Sequence, residues 1–380
     1  MEWTMDIGRY AKESYEEVFH LLSNLARIPA PSHHEEKRVA YIAKWLRELG
    51  ESNIIIDDAL NVIIPWGDID HKPLIVFMAH TDVVFSDTDE LPLIYDEQEK
   101  KLRCPGVADD TANVCVLLMA FKYLFLNNIV PEDCAILFVA NSCEEGLGNL
   151  KGCRKIIEKY GERIHHFYTF DGTAGRVLKR SVGSVRYKVE VRTEGGHSYN
   201  AFGNKNAIDY LSAMIQDLYK VKVPTVGKTT YNVGTISGGT SVNTIAQNAE
   251  MVYEIRSDYQ ESIEAMIHHF NSVIECYKSK DITVNVEIVG ERPCTGMVDE
   301  EQQKLVMQKA ADALKRQYGM EAVFNSGSTD CNIPLSIGIP STRLGTVISA
   351  GHHTREEWMK PESLITGINL ALDLILGYVN

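Results

Sequence analysis

Five short stretches carry side chains that can hold metal ions and move protons. They are AHTD with His80 and Asp82, GVADD with Asp109 and Asp110, NSCEEG with Glu144 and Glu145, FDG with Asp171, and AGHHTREEW with His352 and His353. Imidazole and carboxylate together suit divalent cations of the zinc type, and the number of acids calls for a second ion. GVADD makes the case most directly. Its adjacent carboxylates precede the apolar run VCVLLMAFKYLFL, and no Lys or Arg occurs between Arg103 and Lys122. Like charges at the edge of a core cost desolvation energy unless something positive lies close by. Each stretch alone has a plainer reading. His80 and Asp82 could end a solvated strand, Glu144 and Glu145 could face a helix N-terminus, Asp171 before Gly172 could form a turn, and His352 and His353 could lie in a surface loop. Their order and their shared placement at the ends of strands favour chemistry.

Elements must bring these stretches together. Residues 10–27 have helical apolar spacing. IPAPS ends that helix, and Ser32 with Glu35 has the pattern of a capping box for a second helix through Leu49. NIIID and NVIIPW read as strands. PLIVFMAHTD is a continuous apolar run, as in a buried strand. A helix over about 111–127, the strand CAILFVANSCEEG, a helix near 150–160 and the strand HHFYTFDGT follow. This alternation predicts an α/β layer with a largely parallel sheet. Ligands bind at the carboxyl edge of such sheets, where three successive strands deliver His80 and Asp82, Glu144 and Glu145, and Asp171. Near residue 180 the pattern changes. SVRYKVEVRTEG, NAIDYLSAMIQDLYK, TTYNVGTISGG, AQNAEMVYEIRSD, ESIEAMIHHFNSVIECYK and ITVNVEIVGE read as β-α-β-β-α-β, the split βαβ layout of a small α+β domain. After ERPCTG the first pattern resumes. The expected division is a discontinuous catalytic domain, 1–180 and 293–380, with an inserted domain, 181–292.

At 380 residues the chain is long for one core. A formal charge of −14 argues against nucleic acid and anionic membranes as partners. No apolar run is long enough to span a bilayer, and the polar start MEWTMDIGRYAKESYEE lacks a signal-peptide core, so a cytoplasmic location is expected. The eight cysteines form no C-x-x-C pair. Several, including Cys115, Cys134 and Cys276, fall in apolar segments and read as reduced core thiols.

Taken in order, HTD, GVADD, the CEEG pair, the FDG aspartate and the late HHT resemble the M20 family of co-catalytic metallopeptidases. The resemblance extends over nearly the whole chain, including IPAPS and the inserted domain. It implies a zinc-peptidase-like catalytic domain with a mixed, largely parallel sheet, carrying a lid that also mediates homodimerisation. It implies two divalent metal ions per chain, expected to be zinc. By position, His80 matches a ligand of one ion, Asp109 the carboxylate bridging both, Glu145 a ligand of one and Asp171 a ligand of the other. His353, rather than His352, matches the last ligand, because Thr354 and Glu357 follow it as in the family. Asp82 matches the acid that orients His80, and Glu144 the general base that takes a proton from the activated water and delivers it to the leaving amine. Asp110 is no ligand, and the bond between Asp109 and Asp110 is expected to be cis.

In the lid, His197 of EGGHSYN matches an oxyanion-stabilising residue supplied by the partner subunit. Asn243 of GGTSVNTIA matches a substrate contact, and Arg256 of EIRS an arginine for the substrate carboxylate. The plainer readings are a loop histidine and a strand-surface salt bridge. Gly327 and Ser328 of SGSTDCN match a loop lining the pocket, with Ser328 in place of a glycine. An aspartate at position 171 leans towards peptidase T-like enzymes, which remove N-terminal residues from short peptides. The alternatives are an N-acyl or N-carbamoyl amino acid amidohydrolase, as in aminoacylases and carboxypeptidases, and a non-catalytic binding protein on the same fold. One departure stands out: the family's Asp-x-Lys-Gly is here followed through as Thr111 and Ala112, which leaves the ligands intact and points to a divergent specificity.

Overall fold

The computed structural model describes residues 2–379, with side chains from residue 6 onward. The chain forms two compact units, Met1–Arg180 with Gly296–Asn380, and Ser181–Thr295.

Where one helix was expected over residues 10–27, two are found, α1 (Glu2–Glu13) and α2 (Tyr15–Arg27), with Ser14 between them off the helical path at φ −86° and ψ 0°. Val18, Leu21, Leu22 and Leu25 form the buried stripe of α2. Helix α3 (Glu36–Leu49) ends on Gly50 in the left-handed region at φ 103°. The capping box expected ahead of α3 does not form. Ser32 Oγ donates instead to Asp82 Oδ2 at 2.6 Å, and Glu35 Oε1 accepts the backbone N–H of His33 and of Cys143, each at 3.0 Å. A fully buried carboxylate, cut off from water, needs donors more than a helix end does.

Strands β1 (Ile55–Ile56), β2 (Val62–Trp66) and β3 (Leu74–His80) follow, then the short β4 (Ile94–Asp96) and β5 (Lys101–Arg103), helix α4 (Ala112–Leu126), β6 (Ala135–Asn141), α5 (Lys151–Tyr160), β7 (Ile164–Phe170) and β8 (Arg176–Ser181). The second unit contributes β9 (Gly183–Arg192), β10 (Gly196–His197), α6 (Ala207–Leu218), β11 (Thr229–Gly238), β12 (Thr244–Ile245), β13 (Asn248–Ser257), α7 (Gln260–Lys278) and β14 (Thr283–Arg292). The first unit then resumes with α8 (Glu300–Tyr318), β15 (Val323–Gly327), α9 (Asn332–Ser336), β16 (Ser341–Leu344), β17 (Ser349–Ala350), β18 (Trp358–Met359) and α10 (Ser363–Leu376).

The main sheet runs β1-β2-β6-β3-β7-β16-β8-β15. β3 lies between β6 and β7, parallel to both, and β16 extends the parallel set. All seven residues of β3 and of β6 are buried, which is why both read as continuous apolar runs. Phe77 stacks on Tyr168 at 5.1 Å and lies 6.3 Å from Phe138, tying the three strands together. Their register aligns the carboxyl ends: His80 pairs with Asn141, which precedes Glu144 by a short turn, and Phe170 leads into Asp171. Helix α4 is apolar on nearly every side and correspondingly buried. A small sheet, β17-β18-β5-β4, was not anticipated. Its strands have two or three residues each, too few to show a period of two.

The second unit has an antiparallel sheet, β11-β13-β9-β14, and a two-stranded ribbon, β10-β12. Val189, Val191, Met251 and Tyr253 from the sheet bury against Leu211 and Met214 of α6 and Phe270 of α7. The alternation of buried and half-buried residues along β9 and β13 is the period-two pattern of their sequence. All eight cysteines are free thiols; seven are buried, but Cys276 is exposed on α7 rather than in the core. Among the described residues no helix is long and apolar enough to cross a membrane.

Candidate metal centre

His80 closes β3 and is 1% exposed. Its Nδ1 donates to the backbone carbonyl of Asp82 at 3.0 Å, with Asp82 Oδ1 at 3.3 Å. Its Nε2 faces Asp109 Oδ1 at 3.2 Å. With the proton held on Nδ1, a neutral ring presents the Nε2 lone pair to a carboxylate, and two acceptors at that distance need a proton or a cation between them. Burial opposes charge on His80, but Asp110, Asp109 and Asp82 outweigh it and raise its pKa well above the usual histidine value.

Asp82 does more than orient that ring. It is fully buried, and its Oδ1 accepts the Glu144 N–H while its Oδ2 accepts the Glu145 N–H, each at 2.9 Å. Burial alone would raise its pKa; the His80 contact, the Ser32 hydroxyl and the Glu145 N–H lower it instead. One side chain thus fixes a histidine and both glutamates.

The GVADD turn runs from Gly106, at φ 73°, into a tight loop over Val107–Thr111, and the Asp109–Asp110 peptide bond is cis. Glu357, fully buried, clamps this loop: Oε2 accepts the Gly106 N–H at 2.9 Å, and Oε1 accepts those of Ala108 at 2.8 Å and Asp109 at 2.9 Å. Burial, with the Asp109 charge, still pushes the Glu357 carboxyl up to about 7. The adjacent aspartates have opposite surroundings. Asp109 meets two imidazoles, His80 and His353, which overcome burial and hold its carboxyl far below the ordinary range. Asp110 turns inward, accepting the His80 N–H at 3.0 Å and Asn113 Nδ2 at 2.6 Å. Burial and the charges of Asp171 and Asp109 raise its carboxyl well above the ordinary value.

His353, with φ 61°, places Nε2 3.1 Å from both Asp109 Oδ2 and Glu145 Oε1. These contacts, against some burial, raise its pKa to about 11. His352 stands further off. Its Nδ1 is 3.9 Å from Asp109 Oδ2, and its Nε2 bonds Ser349 Oγ at 2.9 Å. Asp171, 7% exposed, is held by its N–H to Leu344 O at 3.1 Å.

Three overlapping sets of ligand atoms result, each spanning no more than 4.8 Å: His80, Asp109, Asp110 and Asp171; His80, Glu144 and Glu145; and Asp109, Glu145 and His353. Asp109 belongs to the first and the third. Buried carboxylates that raise the pKa of His80 and His353 demand positive charge, and a donor set of imidazole and carboxylate oxygen fits divalent ions of the zinc type.

In the second unit, His197 and Asn243 come together on the β10-β12 ribbon, where His197 pairs with Thr244 and the Ser198 N–H donates to Asn243 O at 2.9 Å. The Tyr199 N–H donates to His197 Nδ1 at 3.2 Å, which leaves the proton of a neutral ring on Nε2, available to donate. Arg256 lies apart from that pair, on β13, opposite Thr230 and Ser184. Its Nε donates to Glu254 Oε2 at 2.8 Å, the strand-surface salt bridge weighed as its plainer reading. Gly327 ends β15, and Ser328 begins the loop into α9.

Several residues that support the centre carried no sequence signal for that role. Glu35 holds the Cys143 N–H next to Glu144. Asp330 is fully buried, takes Asn141 Nδ2 at 2.7 Å, and has a carboxyl that burial pushes up to about 7. Fully buried Arg38 donates to Ile28 O, Thr81 O and Thr111 Oγ1, each at 2.9 Å. Thr111, the departure from the family pattern, is therefore a bonding partner of a cation supplied by α3.

The sequence pattern of Peptidase family M20/M25/M40 matches residues 76–377. An acetylornithine deacetylase of Buchnera aphidicola is 26% identical over 219 residues, 54% of this chain, and the match spans only 55% of that protein. Among solved structures, a tripeptidase from Staphylococcus aureus superposes with a TM-score of 0.76 at 22% identity, covering 96% of this chain and 98% of that one. The YXEP protein of Bacillus subtilis, described as a dinuclear metal binding peptidase of the M20 family, gives 0.64 at 16% identity, covering 97% of this chain and 100% of that one. The chain belongs to peptidase family M20/M25/M40, and its fold is that family's fold.

Proposed function

We propose that this member of the M20 peptidases is a two-metal aminopeptidase acting on di- or tripeptides. The observation that carries the reading is the position of Asp109, faced by His80 at 3.2 Å and by His353 at 3.1 Å and common to two ligand sets. His80, Asp109 and Asp171 would hold one ion, and Asp109, Glu145 and His353 the other, both zinc by preference. Ions so held polarise the scissile carbonyl and acidify a water. The chain's own residues do the rest. Asp82 keeps the His80 ring aligned and, through two N–H bonds, sets Glu144 beside Glu145. Glu144 takes the proton of the attacking water and returns it to the leaving amine. The acidic surroundings suit a free α-ammonium group on the substrate, and the tripeptidase likeness supports a short peptide. His197, as an Nε2–H donor, is assigned to the oxyanion, and Asn243 and Arg256 to the substrate, in a homodimer formed through the second unit. The free thiols support a reducing compartment, the cytoplasm.

A second reading, hydrolysis of N-acyl or N-carbamoyl amino acids, is favoured by the acetylornithine deacetylase match. A panel of free-amine dipeptides and tripeptides against N-blocked amino acids separates the two. Turnover confined to blocked substrates would overturn the aminopeptidase assignment. Glu144→Gln should retain about two metal ions per chain yet lose roughly 100-fold or more in kcat; full activity would remove the general-base role. Mixing inactive His197→Ala with inactive Glu144→Gln should restore activity in hybrid dimers, and proven hybrids without activity would end the cross-subunit assignment.

A further inference from the structure

We propose that Arg343 sets specificity by receiving a carboxylate of the substrate, an inference that rests on the hydrolase reading above. Arg343 lies in β16 opposite Thr169 of β7, and the next residue, Leu344, accepts the Asp171 N–H at 3.1 Å. The strand therefore carries the guanidinium to the turn that leaves the metal centre. A Cβ built on Gly172, where φ is +75°, would lie 3.1 Å from Arg343 Nη1 and 4.0 Å from His352 Cε1. A Cβ on Gly327 would lie 4.0 Å from Nη2. The guanidinium thus stands between the Asp171–Gly172 turn and the end of β15. The bare glycine at 172 leaves it the room.

Its lack of partners is the second observation. Arg343 Nε is sealed from solvent and has no acceptor, and the guanidinium makes no hydrogen bond or ion pair with any described residue. Two other enclosed arginines differ: Arg38 has three acceptors, and Arg186 pairs with Glu254 at 2.7 Å. In a chain with 52 acidic residues, leaving a partly buried guanidinium without one costs desolvation energy that an acid nearby would offset. A planar fork of N–H donors beside a hydrolytic centre matches a carboxylate in a two-bond pairing. Two sources supply that group: the α-carboxylate of a dipeptide, or an aspartate or glutamate side chain flanking the scissile bond.

Three matched pairs distinguish them: Ala-Ala against its C-terminal amide, Ala-Asp-amide against Ala-Asn-amide, and Asp-Ala-amide against Asn-Ala-amide. Metal-loaded wild-type protein should favour the acid in at least one pair by about ten-fold or more in kcat/KM, as charge-assisted bonds of this kind do. In Arg343→Leu that preference should fall to within about two-fold, with Arg343→Lys in between because it keeps the charge without the fork. The pair that collapses names the source. A wild type without preference in any pair, or a preference that Arg343→Leu leaves unchanged, overturns the role. Arg343→Gln gives the same reading should the leucine variant not fold. Loss of the hydrolase reading would look different, as no turnover on any pair. Calorimetric binding of the same pairs then decides, and equal affinity for acid and neutral member overturns the inference.

Discussion

Asp109 and Asp110 show how far two identical neighbours can diverge when one faces imidazoles and the other faces the core. A similar contrast makes Asp330 testable. Burial, opposed by His80 and by the Asn141 hydrogen bond, raises its carboxyl to about 7 from an ordinary 3.8. Below the ordinary value both folded and unfolded chains hold the proton, and the stabilising difference is fully present. As pH rises towards 7 the unfolded chain has released its proton while the folded one retains it, so stability is lost through that window. Metal-free protein should therefore lose stability from about pH 5 to about pH 7, at up to about 1.4 kcal/mol per pH unit from this group. In Asp330→Asn, urea denaturation across that range should show a shallower slope; an unchanged slope would mean that Asp330 is ionised in the folded state.

At the scale of elements, the centre depends on cross-links between segments distant in the chain. Arg38 on α3 ties Ile28, the Thr81 end of β3 and the Thr111 start of α4. Removing it strips three acceptors, two of them buried, of their donor. Arg38→Leu should cost about 3 kcal/mol or more, read as a lowered denaturation midpoint; a cost under about 1 kcal/mol would mean that water replaces the guanidinium. Glu357 does for the GVADD loop what Arg38 does for the helices, gathering three N–H groups from the far end of the chain. Glu357→Ala should weaken metal retention by about 10-fold to 100-fold on dialysis against a chelator, the usual loss when support behind a ligand is removed.

For the whole molecule, the division into two units has thermodynamic consequences. His80, Asp109, Glu145, Asp171 and His353 all belong to the first unit. Chelation should lower the melting temperature of that unit alone, because ions that bind only the folded state stabilise it by mass action. The second unit has its own core of sheet and helix residues. Expressed as residues 181–295, it should unfold cooperatively with a midpoint that a chelator leaves unmoved. A single chelator-sensitive transition in the intact chain would show that the two units unfold together.

The sequence by itself determined where β1, β2, β3, β6 and β7 of the main sheet lie and which acids and histidines end or follow the last three, but it did not place β8, β15 and β16. Those signals are local: continuous apolar runs mark β3, β6 and β7, and the polar residue that ends each run is read directly from the chain. The same holds for the split βαβ pattern of the second unit, where side chains alternate with a period of two. The tertiary structure alone decided which neighbours set each group's charge. Ser32 and Glu35 have a capping pattern in sequence, but buried Asp82 and the Cys143 N–H claim them in the fold. Arg38, Asp330 and the unpartnered Arg343 could not be singled out, and Glu357 was marked only by its spacing from His353, because their contacts join residues far apart in the chain. Such contacts follow from strand register and burial, which no local pattern encodes. They determine whether a carboxylate at a strand end is solvated, bound to a cation, or kept neutral by the core.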